Sequence, residues 1–162
     1  MDYLRILGCL ALFLLGFVSC TLFNLVSSDL EMPVNIGTLS FMPALNSPGD
    51  WIKEGRIHVY ENAVVIDVEG ASLARYAPTG SMRPVLDDKS TGIRIQPKSQ
   101  EQINVGDIVT FEKNGELIVH RVIDRGEDSE GVYFITKGDN NDVTDGKIRF
   151  EDIKYVTIGV LW

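Results

Sequence analysis

The dipeptide Asn114-Gly115, set between two β-rich runs, constrains the fold more than any other feature of the chain. Residues 108–112 precede it and residues 117–123 follow. Both central positions of a two-residue type I′ turn need positive φ, which Asn and Gly tolerate best. This predicts an antiparallel hairpin in which Lys113 pairs with Glu116, Phe111 with Ile118 and Val109 with His120. Side chains alternate along a strand, so His120 shares a face with Val109, Phe111, Ile118 and Val122, while Arg121 points the other way. The hairpin therefore carries an imidazole on an apolar face.

The rest of the body reads in the same style. Residues 57–60 and 63–68 flank Glu61-Asn62 as a second hairpin. Residues 72–76, 93–96, 132–136 and 155–160 are further short β-rich runs. No long amphipathic helix and no internal repeat is visible. The expected fold over residues 51–162 is a mainly β, antiparallel, barrel-like domain. Residues 27–50 lack periodicity and carry Pro33, Gly37, Pro43, Pro48 and Gly49, as a linker or loosely docked arm would.

Ahead of that arm, residues 6–23 run eighteen positions without a charge, extended to 4–26 by accepting Arg5 and Asn24. Such a length crosses a bilayer core of about 30 Å. We expect residues 1–26 to form a permanent transmembrane anchor, with the lipid bilayer as a partner. A cleaved secretory signal is a second reading, although its apolar core usually spans only about 7–15 residues. A lipoprotein signal is a third, suggested by Phe17-Val18-Ser19-Cys20, but the chain stays largely apolar from Thr21 to Val26. Arg5 before the stretch and Asp29 and Glu31 after it favour a cytoplasmic N-terminus and an extracytoplasmic body. Both cysteines, Cys9 and Cys20, fall inside the stretch, about 16 Å apart along a helix and too far to bridge. The body thus has neither a disulfide nor a thiolate zinc site. The formal charge of −8 lies almost wholly on the body. It argues against nucleic acid as partner and against a polybasic grip on lipid.

Three segments carry the chemistry. Ser81 stands in Pro78-Thr79-Gly80-Ser81-Met82-Arg83-Pro84, a stiff, sharply turned loop whose freed N–H groups suit an oxyanion; the same heptapeptide also suits an ordinary turn. His120 is one of two histidines, the other being His58 in the first hairpin. A strand histidine is commonly structural, yet an ordinary imidazole pKa of about 6.5 provides a neutral base at pH 7. A lysine base would need its pKa of about 10.4 lowered by about three units through burial, and the nearest lysines, Lys113 and Lys137, adjoin turns. The acidic turn after Lys137 offers Asp139, Asp142 and Asp145 as a carboxylate to orient a base, beside the plain turn chemistry of Asp and Asn. A calcium loop does not fit, because Val143 and Phe150 stand where ligands are required. No metal and no cofactor is expected.

Taken in order, these segments resemble the signal peptidase I family, specifically its archaeal and endoplasmic-reticulum branch with a Ser–His catalytic pair. Gly80-Ser81-Met82-Arg83-Pro84 matches the nucleophile segment, Gly106-Asp107-Ile108-Val109 a strand-opening segment, and His120-Arg121-Val122 the base segment. Lys137-Gly138-Asp139-Asn140-Asn141 with Asp145 matches the acidic segment. The resemblance implies Ser81 as nucleophile, His120 as general base, Asp145 orienting the imidazole and Asp139 supporting the loop or the base. Thr79 would join the Ser81 amide in an oxyanion hole. Substrate would lie along Leu73, Ala74, Arg75, Tyr76 and Ala77, with Met82 walling the groove. Implied partners are exported preproteins with signal peptides, with further membrane subunits left open. Residues 85–105 form a longer connection than the family usually has, read here as an inserted hairpin or lid over residues 88–104. Two rivals stand beside this reading. One is a self-processing Ser–Lys peptidase of the LexA type, and the other a non-catalytic, membrane-tethered β binding domain.

Overall fold

The computed structural model describes residues 45–162 and, before them, only the single positions Tyr3, Gly8 and Val18. The expected anchor over residues 1–26 and most of the arm lie outside the described residues. The strands are β1 (Ile57–Tyr60), β2 (Ala63–Ile66), β3 (Ser72–Arg75), β4 (Thr91–Ile95), β5 (Ile108–Lys113), β6 (Glu116–Asp128), β7 (Gly131–Lys137), β8 (Lys147–Ile148) and β9 (Ile153–Leu161). Within residues 45–162 the helical pieces are single 3-10 turns at Glu54–Arg56, Gln100–Gln102 and Phe150–Asp152. None is long enough to span a membrane.

β1 and β2 form a separate two-stranded sheet, and the other seven strands form an antiparallel sheet in the order β3-β4-β9-β5-β6-β7-β8. The Asn-Gly hairpin has the expected register: Lys113 faces Glu116, Phe111 faces Ile118 and Val109 faces His120. Asn114 and Gly115 take φ of 54° and 81°, the left-handed pair that a type I′ turn demands. The expected barrel does not close. β3 and β8 remain edges of the seven-stranded sheet, and no ladder joins them. β8 is only two residues long, too short to build a closing ladder.

The sheet nevertheless curls. Val156 on β9 and Phe134 on β7 share one core with Val109, Phe111, Val122 and Ile103. In a flat sheet these outer strands would stand about 14 Å apart, three strand spacings. Bulges supply the bend, at Val122–Asp124 where β6 meets β7 and at Thr110–Phe111 where β5 meets β9. A smaller cluster of Met82, Leu86 and Ile108 covers the other face of β5, so both faces of the central strand are dry.

β6 runs past the expected end at residue 123 to Asp128 and changes partner on the way. Residues 116–121 pair with β5, and residues 121–128 pair with β7. Among the described residues the second edge of residues 116–120 is therefore unpaired.

Two expectations about connections need correction. The stretch 88–104 is neither a lid nor an appended hairpin. It supplies β4, which pairs with β3 on one side and β9 on the other, and its end plugs the core with fully buried Ile103. Residues 46–51 of the arm are not loosely docked. They are hydrogen-bonded into the domain through Asp107 and Arg121.

Candidate active site

The serine loop starts where β3 ends. Gly80 takes φ of +74°, a conformation that a side chain would strain, and this turns the chain sharply into Ser81. Met82 and Leu86 then anchor the loop by inserting into the cluster with Ile108. The Thr79 hydroxyl lies 3.1 Å from Ser81 Oγ and accepts from the Ser81 N–H at 3.4 Å. The Ser81 hydroxyl, its amide donor and a second hydroxyl thus meet at one point.

The loop after β7 holds the serine loop from behind. Asn140 N donates to Ser81 O at 2.8 Å, and its side-chain amide donates to Gly80 O at 3.2 Å. A Cβ on Gly138 would stand 2.7 Å from Ser81 O and 2.7 Å from Asn141 Nδ2. Only glycine lets the two loops come this close.

His120 projects from β6 onto the apolar face, as its register requires, beside the Phe111 ring. Its Nδ1 lies 2.7 Å from Asp145 Oδ2, with side-chain exposures of 9% and 16%. The pair is therefore largely removed from water, where charge-assisted bonds are strongest. Thr136 Oγ1 also donates to Asp145 Oδ2 at 2.9 Å, and the Asp145 N–H donates to Thr136 O at 2.8 Å. Lys113 Nζ donates to Asp145 O. An ionised carboxylate can only accept, so the ring proton sits on Nδ1 and the lone pair of a neutral ring sits on Nε2. Nε2 lies 3.5 Å from Asn141 Nδ2.

Ser81 and His120 line the same pocket of about 340 Å³, together with Tyr76, Ala77, Thr79 and Met82. Among the described residues no hydrogen bond joins Ser81 Oγ to the ring. Ser81 Oγ rests on Thr79 instead. Leu73, Ala74 and Arg75 do not line this pocket: Leu73 and Arg75 are exposed on β3 and Ala74 is buried. The opposite wall is β6 itself, through residues 116–119.

The two candidate aspartates separate cleanly. Asp145 reaches His120, whereas Asp139 accepts from Arg121 Nε and Nη2 at 2.8 and 2.7 Å on the other face of β6. Asp142 lies on the exposed part of the turn. His58 is remote in role: it pairs with Asp67 at 3.0 Å on the exposed first hairpin. Sequence reasoning missed Asn141 and the task of Arg121. Asn141 looked like one more turn residue, but Arg121 carried a usable signal, because a cation alternating with a core histidine needs a carboxylate partner. Among the described residues no group of acidic, histidine or cysteine side chains is arranged to hold a metal. No family model, curated protein or solved structure matches the chain.

Proposed function

We propose that the protein is a membrane-anchored serine endopeptidase of the signal peptidase type, cutting exported preproteins on the extracytoplasmic side of the membrane. One observation carries the reading: a partly buried carboxylate holds His120 by Nδ1, and the ring lines the pocket that Ser81 also lines. A histidine oriented in this way, beside a serine on a glycine turn, is the arrangement of a hydroxyl nucleophile and its base.

In this reading Ser81 Oγ turns from Thr79 to His120 Nε2 and attacks the scissile carbonyl carbon while Nε2 takes its proton. Asp145 stabilises the resulting imidazolium. The Thr79 hydroxyl and the Ser81 N–H, which now bond each other, turn to the oxyanion. Collapse of the tetrahedral intermediate breaks the peptide bond, and the imidazolium returns its proton to the leaving amine. Water then enters, gives a proton to Nε2 and hydrolyses the Ser81 ester. The unpaired edge of residues 116–120 suits an extended substrate, since added strands gain main-chain hydrogen bonds while side-chain pockets select.

The Ser–Lys rival draws no support from the lysines. Lys113 and Lys137 donate to the carbonyls of Asp145 and Asn141, and among the described residues neither bonds to Ser81. The test uses the full chain in detergent or liposomes with a preprotein substrate and a fluorophosphonate probe. We expect cleavage and labelling at Ser81, both lost in Ser81→Ala. Cleavage that survives Ser81→Ala would sink the nucleophile assignment, and a wild-type chain inert to both reagents would favour the binding-domain rival.

A further inference from the structure

One buried cation holds both the arm and the serine loop. Arg121 faces away from His120 and is nearly inaccessible, with 7% of its side chain exposed against 2% for Asp139. Its Nε and Nη2 clasp Asp139. Its Nη1 donates to Gly106 O at 2.8 Å and to Asn46 O at 3.3 Å. Asp139 is followed by Asn140, whose two donors fix Ser81 O and Gly80 O. Asn46 belongs to the arm.

A second buried charge grips the same arm. Asp107 is fully buried, and its carboxylate accepts from Gly49 N at 2.7 Å, Trp51 Nε1 at 3.0 Å and Asn104 N at 2.9 Å. Ser47 O passes so near Gly106 that a Cβ there would lie 2.0 Å from it. The two clamps are neighbours, linked by Gly106 N to Val122 O and by Val122 N to Asp107 O, each at 2.8 Å. If the arm left, Asp107 would lose two donors and Arg121 one acceptor while both stayed inside. Buried charges without partners are costly, so arm, clamps and loop are expected to order together.

We infer that Arg121 is a positioning residue for Ser81, acting through Asp139 and Asn140, and that the docked arm at residues 46–51 is required for that placement. The catalytic consequence rests on the peptidase reading, whereas the mechanical link does not. Arg121 and His120 lie on opposite faces of β6, so loosening Arg121 lowers the rate without reshaping its pH profile.

The test is Gly106→Ala, which forces Ser47 away without touching the site. Amide hydrogen exchange is read at Gly49, which reports the arm, and at Asn140, which reports the serine loop. The Ser81 acylation rate by a fluorophosphonate is measured across pH. We expect both amides to lose protection together and acylation to slow about tenfold, with the pH profile unchanged in shape. Arg121→Lys, which keeps the charge but not the fork, should repeat the acylation loss. Trp51→Phe removes the indole donor, and with it part of the ring that packs on the core, and serves if Gly106→Ala fails to fold; smaller changes at the same two amides are expected. The inference is overturned if Gly49 opens while Asn140 protection and acylation keep their wild-type values. If the wild-type chain is not acylated at all, the peptidase reading fails, and the Asn140 amide still decides the link.

Discussion

Replacing Asp145 with Asn removes one charge from the candidate site and little else. The carboxylate sits 2.7 Å from His120 Nδ1 with 16% of its side chain exposed. The loop that carries it stays fixed by the Asp145 N–H to Thr136 O and by Lys113 on Asp145 O. Opposite unit charges about 4 Å apart attract by about 4 kcal/mol at an effective dielectric constant of about 20. Asn keeps a weaker dipolar bond to Nδ1–H, so we take the loss at the stage where the imidazolium forms as about 2–4 kcal/mol. At about 1.4 kcal/mol per tenfold, Asp145→Asn should slow Ser81 acylation about 30-fold to 10³-fold. The assay is the second-order rate of fluorophosphonate labelling, with thermal unfolding as the check on folding. Thr136→Val is the control. It takes the hydroxyl from Asp145 Oδ2 but leaves the His120 pair, and should cost less than about tenfold. An Asp145→Asn chain that folds normally and labels within twofold of wild type would refute the assignment of Asp145 to the base.

Other expectations follow from the same contacts. Gly138→Ala places a methyl against Ser81 O and Asn141 and should cost about 1–3 kcal/mol in urea unfolding, with a marked loss of labelling. Phe111 is fully buried beside His120, so Phe111→Ala should lower unfolding stability by about 3–5 kcal/mol. The Lys147 ammonium, then the Arg149 guanidinium, hold the Asp128 carboxyl well below its ordinary range. Its contribution is present above about pH 4 and is lost as pH falls toward the depressed folded value. Wild type should therefore lose more urea resistance than Asp128→Asn between pH 5 and pH 3, and equal losses would contradict this. An acylation rate still climbing through pH 9 would implicate Lys113 or Lys137 in place of His120.

Local rules made the central hairpin legible. The Asn114-Gly115 turn set the register, and the register decided which face His120 and Arg121 take, with nothing needed from distant residues. Partner choice was not legible. The short strand at residues 93–96 is legible, but the polar, proline-containing stretch around it reads as an insertion, whereas the sheet holds it as β4 between β3 and β9. β8 escaped notice because two residues carry no periodicity. Barrel closure was over-read, since alternating strands fix the faces of a sheet but not whether its edges meet. At the site, Ser81, His120 and Asp145 were visible as motifs. The resting bond of Ser81 to Thr79 was not, because a hydroxyl's choice among neighbours depends on loop geometry finer than spacing. The arm looked loose because its prolines and glycines are conspicuous, while its clamps, Asp107 and Arg121, lie far along the chain.

The six-residue step from Asp139 to Asp145 has a mechanical reason in β6. At Arg121 this strand faces Lys137, the last residue of β7, and before that point its edge has no partner among the described residues. The loop leaving β7 emerges where the ladder stops. Asp139 binds Arg121 on one face of β6, and Asp145 binds His120 on the other. Adjacent strand residues point to opposite faces, so the loop has to cross the bare edge between them, and the residues from Asn140 to Thr144 are that crossing. Asn140 and Asn141 fall on it beside Ser81 and His120. A shorter loop would leave one of two enclosed charges unpaired, at a cost far above that of the loop's own entropy. The crossing covers only the end of the edge and leaves residues 116–119 lining the pocket with Ser81. One change of partner in one strand thus accounts for the acidic motif, the support of the serine loop and the groove together.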